Sequence, residues 1–315
     1  CKKHCMLFGI YLSPWDRHEK SYGTEKYNDY LCNQLKELCT NYGDIFCFWF
    51  DGACGEGENG KKQEYDWERY FSIIRELQPN AAISNCGPDI RWIGNENGIP
   101  RESEFSVVPK ELTNQKVVAE NSQSEEGATN MLNKKFSERD NQLGTRKQLL
   151  NQELCWKPSE MDISITKIGW FYRKSFEMFH TRSVRNLVDC YNNSVGHNAT
   201  LLLNIPPNSK GEISKKYIKQ LSKARKKIEK QFSKEIKSET IKIDDFTYKV
   251  SFSKSNISTI VLKEDVTKSQ RIEDFEILIN GKNVFDGKTI GFNKFCFIKP
   301  TNTSSFTLKI NNCRN

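Results

Sequence analysis

The sequence predicts an α/β fold, a parallel sheet covered by helices, with an all-β module behind it. Three observations carry this. The front half runs strand, helix, strand, helix, strand. Its apolar runs are continuous rather than alternating, as in strands buried on both faces. After Ser238 the pattern changes to the apolar–polar alternation of antiparallel strands.

Taken in order, CMLFGIYLS (5–13) reads as a buried strand, followed by the polar, aromatic loop PWDRHEKSYG. Residues 26–42 place Tyr30, Leu31, Leu35, Leu38 and Tyr42 at helical spacing. The run DIFCFWFDG (44–52) is a second strand, closed by an acid and a glycine. DWERYFSIIRELQP (66–79) is a helix stopped by Pro79, and AAISNC (81–86) is a third strand. Residues 110–150, rich in Asn, Gln, Ser, Glu and Lys, break the rhythm as a long polar excursion. A strand around Ile163, a helix over Arg182–Ser194 and the run ATLLLNIPP (199–207) restore it. A lysine-rich helix, Ile213 to Phe232, reads as a connector. A boundary near 233–240 then divides an α/β part, 1–232, from a β part, 233–315. The β part is expected to hold strands in TIKIDDFTYKVSF, STIVLKED, RIEDFEILING, KTIGF, CFIKP and SFTLKIN.

The formal charge of +8 is unevenly placed: from Lys210 onward 23 Lys and Arg face 12 Asp and Glu. These lysines alternate with apolar residues in strand-like runs, so a solvated sheet face is expected and a nucleic-acid partner is not. No window holds the roughly 18 consecutive apolar residues of a membrane span, so no membrane partner is expected. The start, CKKHCMLFGIYLSP, has a strand pattern and not that of a secretion signal, and the chain begins at Cys1. Sequons at Asn192, Asn198, Asn256 and Asn302 matter only in a secreted eukaryotic protein, so an extracytoplasmic placement stays open. The 11 cysteines show no CxxC pair, and the four histidines are scattered, so no metal site and no cofactor are expected. Cys5, Cys47 and Cys86 sit in or beside apolar runs, as buried free cysteines do.

In a parallel α/β barrel, functional groups sit at the carboxyl ends of strands. Asp51 closes IFCFWF, is followed by the small residues Gly52 and Ala53, and has Trp49 as an aromatic floor. Its bland alternative is a turn or helix-capping aspartate. Glu96, in CGPDIRWIGNENG, lies in the loop after AAISNC beside Arg91 and Trp92; its bland alternative is a solvated loop residue. Glycosidic bond cleavage needs two carboxyl groups, yet Asp16, Glu56, Glu58, Asp89, Glu160 and Asp162 compete for these roles. Residue chemistry alone does not choose among them.

The segments FWFDGACGEGENGKKQEYDW, ISNCGPDIRWIGNENG and SVGHNATLLLNIPPNSKGEI, in this order, resemble signature segments of glycoside hydrolase family 29, the α-L-fucosidases. STIVLKEDVTKSQRIEDFEI and GKTIGF resemble that family's carboxyl-terminal β-sandwich. The resemblance runs from about Met6 to Ile310, sparing the 110–150 stretch and parts of the linker. It implies a (β/α)8-type barrel followed by a β-sandwich, and an enzyme that removes terminal α-1,3/1,4-linked fucose with retention. It also implies Asp51 as nucleophile and Glu96 as acid/base. Tyr11, Trp15, Asp16, His18, Trp49, Trp92, Trp156 and Glu160 are implied as substrate-binding residues, whereas Trp170 in GWFY reads as core packing. About five barrel-type strands are countable against the eight of a closed barrel, so the barrel is expected to be incomplete at its amino-terminal end. His197 stands where the family usually shows arginine, which puts a local charge contact in doubt. An inactive relative that binds fucosylated glycans without cleaving them is the alternative.

Overall fold

The computed structural model describes residues 1–115 and 142–314, which fall into two compact units. Much of the polar excursion, residues 116–141, lies outside the described residues.

The first unit comprises residues 1–94, 108–143 and 147–158. Its centre is a parallel three-stranded sheet of β1 (Gly9–Leu12), β2 (Cys47–Phe50) and β3 (Ala82–Asn85), with β2 in the middle. Between them run α1 (Glu25–Asn41) and α2 (Trp67–Leu77). The Asp66 carboxylate starts α2 by accepting from the Arg69 N–H at 3.2 Å, satisfying one of the unpaired donors of a first helical turn. In α1, Tyr27, Leu31, Leu35 and Cys39 recur every four residues and are buried, so one stripe faces the sheet. Successive strand residues point to opposite faces. Phe48 and Phe50 accordingly enter the core with Leu31, Leu35, Tyr70, Ile74 and Ile83, while Cys47 and Trp49 on the other face stay half-buried. Short strands β4 (Arg91–Trp92), β5 (Val107–Pro109) and β6 (Leu154–Trp156) follow.

Two expectations fail at the amino end. The first strand begins at Gly9, not Cys5, and Met6, Leu7 and Phe8 are exposed. Cys5 is exposed too, in the left-handed conformation that closes the turn Lys2–His4. Pairing reaches back one residue before Gly9, the Phe8 carbonyl accepting from the Phe46 N–H at 2.7 Å, and the turn closed by Cys5 lies ahead of it.

The second unit comprises residues 95–107, 144–146 and 159–315, of which Asn315 is not described. Parallel strands β7 (Ser159–Ser164) and β8 (Ala199–Asn204) pair in register from Ser159↔Ala199 to Ser164↔Asn204. α3 (Lys174–His180) and α4 (Val184–Ser194) lie between them, and α5 (Lys215–Phe232) follows β8. Ser183 and Ser214 cap α4 and α5 through bonds from Asn186 N and Tyr217 N. An antiparallel sheet then forms in the order β12 (Lys282–Gly287), β11 (Ile272–Ile279), β13 (Lys294–Cys313), β10 (Thr247–Leu262), β9 (Ser238–Lys242).

The β part departs from expectation in its strand count. TIKIDDFTYKVSF divides between β9 and β10 at the turn 243–246, its second half from Thr247 runs on into the start of STIVLKED as one strand, β10, and CFIKP and SFTLKIN are both parts of β13. Register shifts between Ser251 and Ser255, and between Ile257 and Thr259, interrupt the alternation without ending the pairing; such bulges bend a strand rather than break it. KTIGF is a loop. Its Phe292 N–H donates to Asn198 Oδ1 at 2.8 Å and Gly291 takes a positive φ against the same carboxamide. With Asn198 Nδ2 donating to Glu104 O, this side chain is buried and committed, so the Asn198 sequon offers no free amide for a glycan.

This seam also explains His197. Its Nδ1 lies 3.1 Å from Arg101 O, and its backbone bridges to Lys294. Lys294 is itself buried, donating to Glu102 O and Ser103 Oγ. A cation therefore already occupies the neighbourhood, and a neutral ring at 197 avoids a second one. Burial first, then the Lys294 charge, push the His197 imidazole down from 6.5 to about 4. The unfolded chain thus binds a proton that the folded chain refuses between these values, so stability is full above pH 6.5 and is lost as pH falls toward 4. We expect His197→Gln to remove about 1–3 kcal/mol of that loss. Urea unfolding of both proteins at pH 7 and pH ~4.5 checks it.

Candidate active site

In the first unit, the carboxyl end of β2 delivers Asp51. Its backbone N–H donates to Leu12 O at 3.3 Å, continuing the β1–β2 ladder one residue beyond the strand. Each carboxylate oxygen accepts one hydrogen bond: Oδ1 from the Ala53 N–H at 2.8 Å, Oδ2 from the Tyr11 hydroxyl. Hydrogen bonds to a charged acceptor are stronger and more directional than neutral ones, and two of them set the orientation of this carboxylate. Tyr11 and Trp49 are register partners on adjacent strands, and their rings stack at 5.3 Å with an interplanar angle of 18°. The half-exposed sheet face thus ends in an aromatic platform next to an oriented acid.

The loop after β1 holds three more of the predicted residues. Trp15 donates its indole N–H to Glu56 O at 3.2 Å and lies against Gly55, where a Cβ would overlap the ring. Asp16 Oδ1 accepts from the backbone N–H groups of His18 and Glu19 at 2.9 and 3.1 Å, so one oxygen shapes the loop. His18 is exposed. Trp15, Asp16 and His18 line, with Leu12, Ser13, Arg17, Tyr27 and Gln34, a shallow hollow of about 420 Å³ that does not include Asp51. Trp92 is half-buried in β4 and Trp156 is 38% exposed in β6. Among the competing acids, Asp89 is committed to structure: it binds the Arg75 guanidinium at 2.6 Å and accepts from Ile83 N at 2.7 Å.

In the second unit, Glu96 sits on an exposed loop. The loop is braced from within by Asn95, whose Oδ1 accepts from Asn97 N and Ile99 N and whose Nδ2 donates to Ile99 O. Glu96 Oε2 accepts from the Trp170 indole N–H at 2.9 Å. Core packing, the role expected for Trp170, is therefore not what its polar edge does. The cue lay in the aromatic run GWFY itself, which fits neither strand alternation nor helical spacing, and whose Phe171 is 84% exposed. Glu160 and Asp162 are buried on one face of β7, alternating with Met161 and Ile163 on the other. A larger hollow of about 940 Å³, bounded by β9, β10 and the segment 259–265, contains none of the predicted site residues.

The α-L-fucosidase family model matches residues 1–232. Alpha-L-fucosidase 1 of Arabidopsis thaliana is 42% identical over 216 residues, covering 68% of this chain and 37% of that protein. Among solved structures, one from Bacteroides ovatus is 37% identical with a TM-score of 0.83, covering 100% of this chain and 54% of its own. A glycoside hydrolase 29 family member from an unknown rumen bacterium is 29% identical with a TM-score of 0.77, covering 99% and 56%. The chain thus spans little more than a third of the length of its Arabidopsis relative and about half that of the two solved chains. The matched family residues run from the first residue to the end of α5 and include Asp51, Glu96 and every other predicted site residue, so this chain belongs to the α-L-fucosidase family.

Proposed function

We propose that this chain carries the catalytic acids of a retaining exo-α-L-fucosidase that hydrolyses terminal α-1,3/1,4-linked fucose from glycans. The observation that carries the reading is the oriented Asp51 carboxylate at the end of a parallel strand, beside the Tyr11–Trp49 stack, in a chain of this family. Each Asp51 oxygen accepts one bond from the protein and keeps a lone pair, as a nucleophile requires. Asp51 attacks the anomeric carbon while Glu96 gives its proton to the departing glycosidic oxygen. The product is a fucosyl ester on Asp51. Glu96, now a carboxylate, removes a proton from water, which displaces Asp51 and releases fucose with its original anomeric configuration. Trp49 and Tyr11 wall the sugar in this reading, and Trp15, Asp16, His18, Trp92, Trp156 and Glu160 are its further substrate-binding residues.

The proposed division of labour assigns catalysis to 1–232, as an incomplete (β/α)8-type barrel, and a supporting β-sandwich to 233–315. The parallel strands β1–β3 of the first unit and the parallel pair β7–β8 of the second each fit the first assignment. So does the half-exposed Trp49 face, since parallel sheets are ordinarily covered on both sides. The reading is tested by incubating the full gene product with a Lewis-type trisaccharide and following free fucose by NMR. Release of α-fucose as the first-formed anomer supports it. Binding without release supports the non-cleaving alternative, and first-formed β-fucose overturns retention.

A further inference from the structure

The half-buried Trp170 has no place in the mechanism above, yet its indole N–H points at the proposed acid/base. Glu96 lies on an exposed loop where a glutamate side chain ordinarily samples several rotamers. The Trp170 bond engages Oε2 at 2.9 Å and leaves Oε1 to carry and deliver the proton. Trp170 is in turn anchored at the carboxyl ends of two parallel strands, where this class of fold places its chemistry. Its carbonyl accepts from Asn204 Nδ2 at 2.8 Å, and the same amide reaches Ser164 Oγ at 3.2 Å. Asn204 ends β8 and Ser164 ends β7. The preceding Gly169 takes φ +70° against the Phe176 ring, and its carbonyl accepts from Thr166 Oγ1 at 3.1 Å. The turn that presents the indole is thus held from both sides.

We infer that Trp170 is a positioning residue for Glu96: a rigid indole, fixed to the ends of β7 and β8, holds one carboxylate oxygen so that the other meets the leaving group. This rests on the assignment of Glu96 as acid/base. Trp170→Phe removes the donor and keeps most of the ring.

The test is a double-mutant cycle in the full gene product, read on two substrates: a Lewis-type trisaccharide, whose leaving oxygen needs protonation, and a dinitrophenyl fucoside, whose leaving group does not. Trp170→Phe is expected to lower kcat/KM on the trisaccharide by about 10- to 100-fold, the worth of a hydrogen bond to a charged group. On the activated fucoside the change should stay within about threefold. In a Glu96→Ala background the same substitution should cost nothing further, because its target is gone. Equal losses on both substrates, or a Trp170→Phe loss that adds fully to Glu96→Ala, overturn the inference. If Glu96→Ala itself shows no difference between the substrates, the acid/base assignment has failed instead, and the inference falls with it.

Discussion

Asp51→Ala is expected to lower fucoside turnover by roughly 10⁴-fold or more, the scale seen when a covalent catalyst is removed. The substitution removes the carboxylate proposed as nucleophile and leaves its two donors, the Ala53 N–H and the Tyr11 hydroxyl, facing a small void. Azide is anionic and small enough to enter such a space, where the same donors can receive it. With an activated aryl fucoside it should attack the anomeric carbon from the side that Asp51 vacated. The product is then β-fucosyl azide, inverted relative to the α-linked substrate, because one displacement replaces two. Rate recovery with azide and the β configuration of the product check this together. Retained activity in Asp51→Ala without azide contradicts the assignment.

Glu96→Ala should behave differently, because acid assistance matters in proportion to how poor the leaving group is. On a natural trisaccharide the loss should be about 10² to 10⁴-fold, the usual worth of a general acid. On a dinitrophenyl fucoside, which departs as a stable anion, bond cleavage needs little help. There the second step becomes limiting, since water must attack the fucosyl ester without a base. A burst of dinitrophenol followed by a slow steady state is the expected trace. Comparable losses on both substrates, without a burst, would show that Glu96 serves binding or folding instead.

The α/β elements were largely legible from residue pattern. Continuous apolar runs marked β2, β3 and β8, and helical spacing marked α1 and α2 to within a few residues. What pattern could not show was long-range geometry. The bulges that fuse two predicted runs into β10 depend on the partner strand β13, and KTIGF loses its strand character because Asn198, some 90 residues earlier, takes its backbone N–H. The candidate site divides in the same way. Asp51 and Trp49 are visible as a strand end with an aromatic neighbour. The hydroxyl from Tyr11 that orients Asp51 comes from the adjacent strand and is set by β1–β2 register. Trp170 reaches Glu96 across 74 positions of sequence, so its role could not be read from local composition. Asp89 is the converse case: a plausible acid in sequence that Arg75 claims for structure.

The central claim is that Asp51 takes the fucosyl group and Glu96 is needed to release it. Both halves meet in one measurement: peptide mass mapping of the Glu96→Ala full gene product, quenched during turnover of dinitrophenyl fucoside. An accumulated adduct of one fucosyl residue, carried on Asp51 and absent from unquenched protein after substrate is exhausted, is the predicted result. An adduct on any other carboxylate, or continued turnover with none accumulating, would contradict it.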